Sequence, residues 1–334
     1  MKNLNIVRWG IIGVGDVTEV KSGPAFYKTD NSRLIAVMRR NSEKAADYAR
    51  RHNVPKWYSN ATELINDPEI DAVYIATPPG SHADYAIEVM RAGKPVYIEK
   101  PMARNYKECL EILQTSEVTG MPVWVAYYRR ALPAFLKVKE LIETGVIGKP
   151  LMTNITLYES AAETGLAEKD LPWYVLPEIS GGGHFFDLAC HQLDYLDFVF
   201  GPVTTVSGIA SNKANLYSAE DTVTGIWQHS SGVTGTGRWC FLVDEEQKKD
   251  EIEIIGEKGR IIIPCFSHGK VTVETSGGVD ELTFKNPHHI SQNLVKQVID
   301  ELRGIGKCVS TGISAARTSW VMDEMVKNYY SGRT

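Results

Sequence analysis

Two short segments of this chain carry residue types that can move protons. The first is Tyr97-Ile98-Glu99-Lys100-Pro101, at the end of a predicted strand. A lysine beside another cation or a desolvated ligand has a lowered pKa and can transfer a proton or polarise an oxygen. Pro101 fixes the backbone after it and admits a cis peptide bond. The second segment runs Ser180-Gly181-Gly182-Gly183-His184-Phe185-Phe186-Asp187-Leu188-Ala189-Cys190-His191-Gln192-Leu193-Asp194. On a helix Asp187 and His191 share a face, with Asp194 one turn further along. Histidine is the general acid/base suited to neutral pH, and a nearby carboxylate orients its ring. The three glycines let another backbone or a ligand approach the start of that helix. The same residues also fit the polar face of an amphipathic helix whose other face is Phe185, Leu188, Leu196 and Val199. They could even be metal ligands, through His184, Asp187 and His191. No His-Glu-x-x-His signature accompanies them, and the expectation is that the site holds no metal.

A third segment binds rather than reacts. Val7–Ile12 is an apolar run that predicts a buried strand, followed by Gly13-Val14-Gly15-Asp16-Val17-Thr18 and a helical pattern. Strand, Gly-x-Gly and helix in that order form the setting in which a dinucleotide pyrophosphate is held. The first glycine permits the turn, and the second lets the phosphates approach the N–H groups of the helix start. Gly13, Gly15, Asp16 and Val17 are therefore expected at the cofactor. The second predicted strand ends Val37-Met38-Arg39-Arg40, with arginine where an NAD-selective fold carries an acid. A guanidinium there can pair with a 2′-phosphate and stack on adenine. Arg39 and Arg40 thus predict NADP in preference to NAD.

Alternating strands and helices must carry these residues. Strands are predicted over 33–38, 71–76, 95–98 and 122–127, and helices over 42–51 (N-capped by Ser42), 82–91 and 106–117. Such alternation builds a parallel sheet with helices on both faces, whose ligands sit at the carboxyl ends of the strands. Gly13, Arg39, Thr77 and Lys100 all fall just past predicted strand ends. After residue 128 the pattern changes. A helix over 133–143, a long strand over 151–159 and a helix over 185–200 precede strands over 203–210, 223–229, 237–243, 251–256, 260–264, 271–275 and 281–284. Strands in succession without helices between them predict a mostly antiparallel sheet, and helices over 291–303 and 315–330 close the chain. The fold class is α/β: a dinucleotide-binding domain over 1–127 and an α+β domain over 128–334.

The bulk composition narrows the function further. The 334 residues suit two domains. A formal net charge of -5 offers no basic face for nucleic acid or anionic lipid. No apolar stretch approaches the roughly 20 residues of a membrane span, and no signal peptide precedes the first strand. The five cysteines are scattered without a Cys-x-x-Cys pair, which predicts reduced thiols and a cytoplasmic protein.

Taken together, Gly13–Thr18, Ala76-Thr77-Pro78-Pro79 with His82, Glu99-Lys100-Pro101, and Gly181-Gly182-Gly183 with Asp187 and His191 resemble the Gfo/Idh/MocA family of oxidoreductases in order and spacing. The resemblance spans nearly the whole chain. It implies a Rossmann domain plus an α/β domain with a large open sheet, often used for oligomer contacts, and hence a homodimer or homotetramer. It implies oxidation or reduction of a carbohydrate or polyol with NAD or NADP. Carried over residue by residue, Lys100 would contact substrate oxygen and cofactor. His191 would be the general acid/base, and Asp187 would orient the substrate or the histidine. Thr77, Pro78, His82 and Glu99 would line the cofactor pocket. Thr18 departs from the usual Gly or Ala, so packing of the first helix must differ slightly. Tyr128, in Tyr127-Tyr128-Arg129-Arg130, lies where many members carry asparagine. Tyr128 and Trp173 are candidates for the substrate wall. Two other readings use the same residues: a glycosidase with a transient redox cycle, and a cofactor-binding regulator without turnover.

Overall fold

The computed structural model describes residues 4–160, 171–267 and 269–331. Six strands, β1 (Val7–Ile12), β2 (Ser32–Met38), β3 (Lys56–Tyr58), β4 (Ala72–Ile75), β5 (Val96–Ile98) and β6 (Val123–Val125), form one sheet in the order β3-β2-β1-β4-β5-β6. All of its pairings are parallel. This is the doubly wound order of a Rossmann fold, in which the chain reverses direction across the sheet between β1 and β4. β3 and the helix Ala61–Asn66 are additions to the predicted pattern. A Cβ on Gly10 would lie 2.8 Å from Leu64 Cδ2 and 2.9 Å from Ile70 Cδ1, so glycine lets that helix close onto β1. Asn41, not Ser42, caps the helix Ser42–Arg51, accepting from the Lys44 N–H at 2.9 Å. Both residue types cap well, and the extended backbone at Asn41 decides between them.

The core of this unit is aromatic. Trp9, Phe26, Tyr74 and Tyr97 are fully buried, with ring centroids 4.8–5.3 Å apart along the series. The helix Gln292–Leu302 completes the core with Leu294, Val295, Val298, Ile299 and Leu302, an apolar stripe at helical spacing. Each such side chain contributes about 1.5–3 kcal/mol on burial. The first compact unit is accordingly Met1–Ala131 with Asn286–Ala316, and the second is Leu132–Lys285 with Arg317–Thr334. Residues 286–316 thus differ from the contiguous 128–334 expected for the second domain, because their apolar stripe completes the first core.

In the second unit, β7 (Pro150–Ser160), β8 (Val203–Ser211), β9 (Thr222–His229), β10 (Thr234–Val243), β11 (Lys249–Gly256), β12 (Gly259–Ile263), β13 (Val271–Thr275) and β14 (Gly278–Leu282) pair in the order β14-β13-β12-β11-β7-β10-β9-β8. Among the described residues, β7 and β10 are the one parallel pair of this sheet. The last strand is shifted from the predicted 281–284, because β14 pairs with β13 through a tight turn at 276–277. Burial alternates cleanly along β9: Val223, Gly225, Trp227 and His229 are covered, while Thr224, Ile226 and Gln228 face outward. The helix His184–Phe200 packs on the covered face, where Trp239 Nε1 donates to Gln192 Oε1 at 2.8 Å.

Candidate active site

At the end of β1 the chain turns through Gly13, whose φ of +95° favours glycine. Its N–H donates to Met38 O at 2.9 Å, which ties the ends of β1 and β2 together. A Cβ at Gly13 would lie 2.6 Å from Thr77 Cγ2 and 2.8 Å from Thr77 N, so glycine also lets the turns after β1 and β4 meet. Gly15 is different. Its backbone is extended, and among the described residues a Cβ there would approach only Gly13 O, at 4.0 Å. Open space beside a glycine at the switch point fits a dinucleotide pyrophosphate. Thr18 Oγ1 accepts from the Gly15 N–H at 3.0 Å and donates to Gly15 O at 2.8 Å. The hydroxyl thereby closes the first turn of the helix Asp16–Val20, which explains how Thr18 is accommodated. Asp16 is exposed and Val17 half-buried.

Arg39 and Arg40 follow directly on β2, one half-buried and one exposed. Neither guanidinium has an ion pair among the described residues. After β4, Thr77 Oγ1 accepts from Ser81 Oγ at 2.8 Å, and Pro78 is exposed. His82, expected at the cofactor pocket, opens the helix His82–Arg91. It is fully buried, with Nε2 2.7 Å from Thr77 O and Nδ1 3.0 Å from Pro101 O. Burial pushes its pKa below the ordinary histidine value. Its physical role is to clasp the loop after β4 to the loop after β5.

The Lys100–Pro101 peptide is cis. Glu99 is buried; Tyr74 donates its hydroxyl hydrogen to Glu99 Oε1, and the Lys100 N–H donates to Oε2 at 3.1 Å. Burial beside that carboxylate pushes the Tyr74 hydroxyl well above its ordinary pKa. Glu99 therefore holds the backbone of Lys100, which is half-buried at the carboxyl end of β5. Tyr128 is also half-buried, with the Arg129 guanidinium 5.0 Å from its ring centroid.

In the second unit, the glycine triplet is filled by protein. Gly181 has φ +90°. A Cβ on Gly182 would lie 2.1 Å from the Phe186 ring, and one on Gly183 would lie 2.5 Å from Glu220 O. The Gly183 N–H donates to Glu220 Oε1 at 2.9 Å, and Tyr330 donates its hydroxyl hydrogen to Glu220 Oε2. Glu220 is fully buried, and burial raises its pKa to about 7. Sequence reasoning missed Glu220 and Tyr330, whose partner lies in a different part of the chain. Only the unusual Glu220-Asp221 pair before an apolar strand could have drawn notice.

The polar face of the helix His184–Phe200 is not a solvated stripe. His191 is 3% exposed and Asp194 1%, while Asp187 is half-buried. His184 stacks on Phe241 at 5.1 Å and meets Tyr174 at 5.1 Å, and burial lowers its pKa. Among the described residues, no cluster of His, Cys, Asp or Glu has the form of a metal site. Trp173 is 38% exposed and packs edge-on against Tyr174.

Residues 7–127 match the model described as the oxidoreductase family with an NAD-binding Rossmann fold, and residues 135–262 match the GFO/IDH/MocA C-terminal domain. The chain belongs to the Gfo/Idh/MocA family. It is an NAD(P)-dependent oxidoreductase. It is 40% identical to Oxidoreductase P35 of Formosa agariphila over 95% of this chain and 97% of that protein. It is 26% identical to the trans-1,2-dihydrobenzene-1,2-diol dehydrogenase of Bos taurus over 80% of this chain and 78% of that protein. A levoglucosan dehydrogenase solved with NADH and levoglucosan shares the fold, with a TM-score of 0.84 at 21% identity over 97% of each chain. None of the described helices is long and apolar enough to cross a membrane.

Proposed function

We propose that this family member is an NADP(H)-dependent oxidoreductase that interconverts a secondary alcohol and a ketone on a sugar, anhydro sugar or polyol. The observation that carries the reading is the common edge of the first sheet: Gly13, Arg39, Thr77 and Lys100 all follow the carboxyl ends of parallel strands, beside the open space at Gly15. Arg39 and Arg40 favour a 2′-phosphate over a bare ribose. When bound, the nicotinamide supplies or accepts the hydride. In the reducing direction His191 gives a proton to the alkoxide oxygen of the substrate, and Lys100 stabilises its developing charge. Asp187 orients the substrate or the histidine, and Tyr128 and Trp173 border the sugar ring. In the oxidising direction His191 takes the hydroxyl proton instead.

The substrate class draws on the family and on the anhydro sugar held by the levoglucosan dehydrogenase. The outward face of the second sheet carries Ile209 (77% exposed) and Ile226 (57%), which favours burial against a second copy in a homodimer or homotetramer. Five scattered cysteines without a Cys-x-x-Cys pair favour the cytoplasm. The test is consumption of NADPH and NADH against a panel of keto sugars and anhydro sugars. NADPH-selective turnover of at least one supports the reading. Glycoside cleavage without net cofactor change, or a preference for NADH, refutes it.

A further inference from the structure

The turn that follows β12 is held by one carboxylate. β11 and β12 are antiparallel with Ile252 opposite Ile263, so Asp250 stands beside the residues that come after Ile263. Its carboxylate accepts three successive backbone N–H groups: Cys265 at 2.9 Å to Oδ1, and Phe266 at 2.6 Å and Ser267 at 2.8 Å to Oδ2. Consecutive N–H groups aimed at one anion make a stiff cradle, and bonds to a carboxylate are stronger than neutral ones. What the cradle presents is the Phe266 ring. It meets the His191 imidazole edge-on, with centroids 5.9 Å apart and planes at 73°.

We propose that Asp250 is a positioning residue for His191, acting through Phe266: it fixes the turn 265–267 so that the phenyl edge holds the imidazole in one orientation. The proposal rests on the acid/base role given to His191 above. The imidazole torsion is broad and roughly two-fold, so a half-turn would exchange the two ring nitrogens presented to a substrate oxygen. An edge-to-face aromatic neighbour favours one ring plane over the others. A carboxylate is suited to fix that neighbour because its two oxygens accept all three N–H groups at once, which an amide side chain cannot do.

The test uses the full chain labelled with ring-¹³C histidine. The His191 signal is identified by its loss in H191N. F266L removes the ring and moves that signal. The proposal expects D250A to move it in the same direction, with D250A/F266L no further displaced than F266L alone. Turnover falls by about 10-fold in D250A and in F266L and no further in the double variant, because the two act in series. F266Y, which keeps the ring edge, restores both readouts. D250N, which keeps one oxygen for the Phe266 and Ser267 N–H groups, gives a smaller displacement and covers the case in which D250A fails to fold. A His191 signal unmoved by D250N and D250A, or losses that add in full in the double variant, overturns the proposal. If the signal moves as expected but H191N keeps full turnover, the acid/base reading fails and the proposal falls with it.

Discussion

The chain uses glycine twice beside its chemistry, and the two turns work in opposite ways. Among the described residues, a Cβ at Gly15 would approach only Gly13 O, at 4.0 Å, whereas at Gly182 and Gly183 it would strike Phe186 and Glu220. The first turn lies at the switch point of the parallel sheet, where such folds bind dinucleotides. The second is closed by the protein's own backbone and by a buried carboxylate. Glycine-rich sequence alone does not separate these cases, because both need a missing Cβ. What separates them is the neighbour: the switch point of a parallel sheet in one unit, and a packed loop carrying Glu220 in the other.

That contrast can be broken by substitution. G183A places a Cβ 2.5 Å from Glu220 O and is expected to cost about 3 kcal/mol in denaturant unfolding. G15A should change stability by less than about 0.5 kcal/mol while weakening NADPH by about 10-fold in calorimetric titration. Equal stability losses at the two positions would erase the distinction. E220Q sharpens the second turn. Glu220 has a folded pKa of about 7 against an ordinary 4.5, so the native state binds the extra proton between those values. Its stabilisation is full below about pH 4.5 and is lost as pH rises through about 7. Relative to the parent, E220Q should therefore gain roughly 2–3 kcal/mol between pH 5 and pH 8, read as a flatter pH dependence of unfolding. On the cofactor side, R39A should weaken NADPH by about 10-fold and leave NADH nearly unchanged. W173A should alter substrate KM by no more than about 3-fold, since its ring is partly exposed and packs edge-on against Tyr174.

Much of this was legible in the sequence because it is periodic or local. The helices Tyr106–Thr119 and His184–Phe200 announce themselves by apolar spacing, and the first by Gly120 at its end as well. Gly13, Arg39, Thr77 and Lys100 follow the ends of β1, β2, β4 and β5, an order that the alternation of strands and helices makes readable. A strand of three residues such as Lys56–Tyr58 is too short to show a period. The return of Gln292–Leu302 to the first core was not legible, since an apolar stripe does not say which core it completes. His82 is expected at the pocket only through the family resemblance, and the two carbonyls beside its ring come from two loops that sequence spacing does not bring together. Glu220 and Asp250 were missed for a related reason: both are acids that accept from backbone N–H groups elsewhere in the chain, and Glu220 from the Tyr330 hydroxyl as well.

The most direct test compares H191N with the parent enzyme at saturating NADPH and ketone substrate, with the NADPH Kd measured on the same samples. The account predicts that turnover falls by a factor on the order of 10² or more while the Kd stays within about 2-fold. Turnover near the parent value, with cofactor bound equally well, would contradict it.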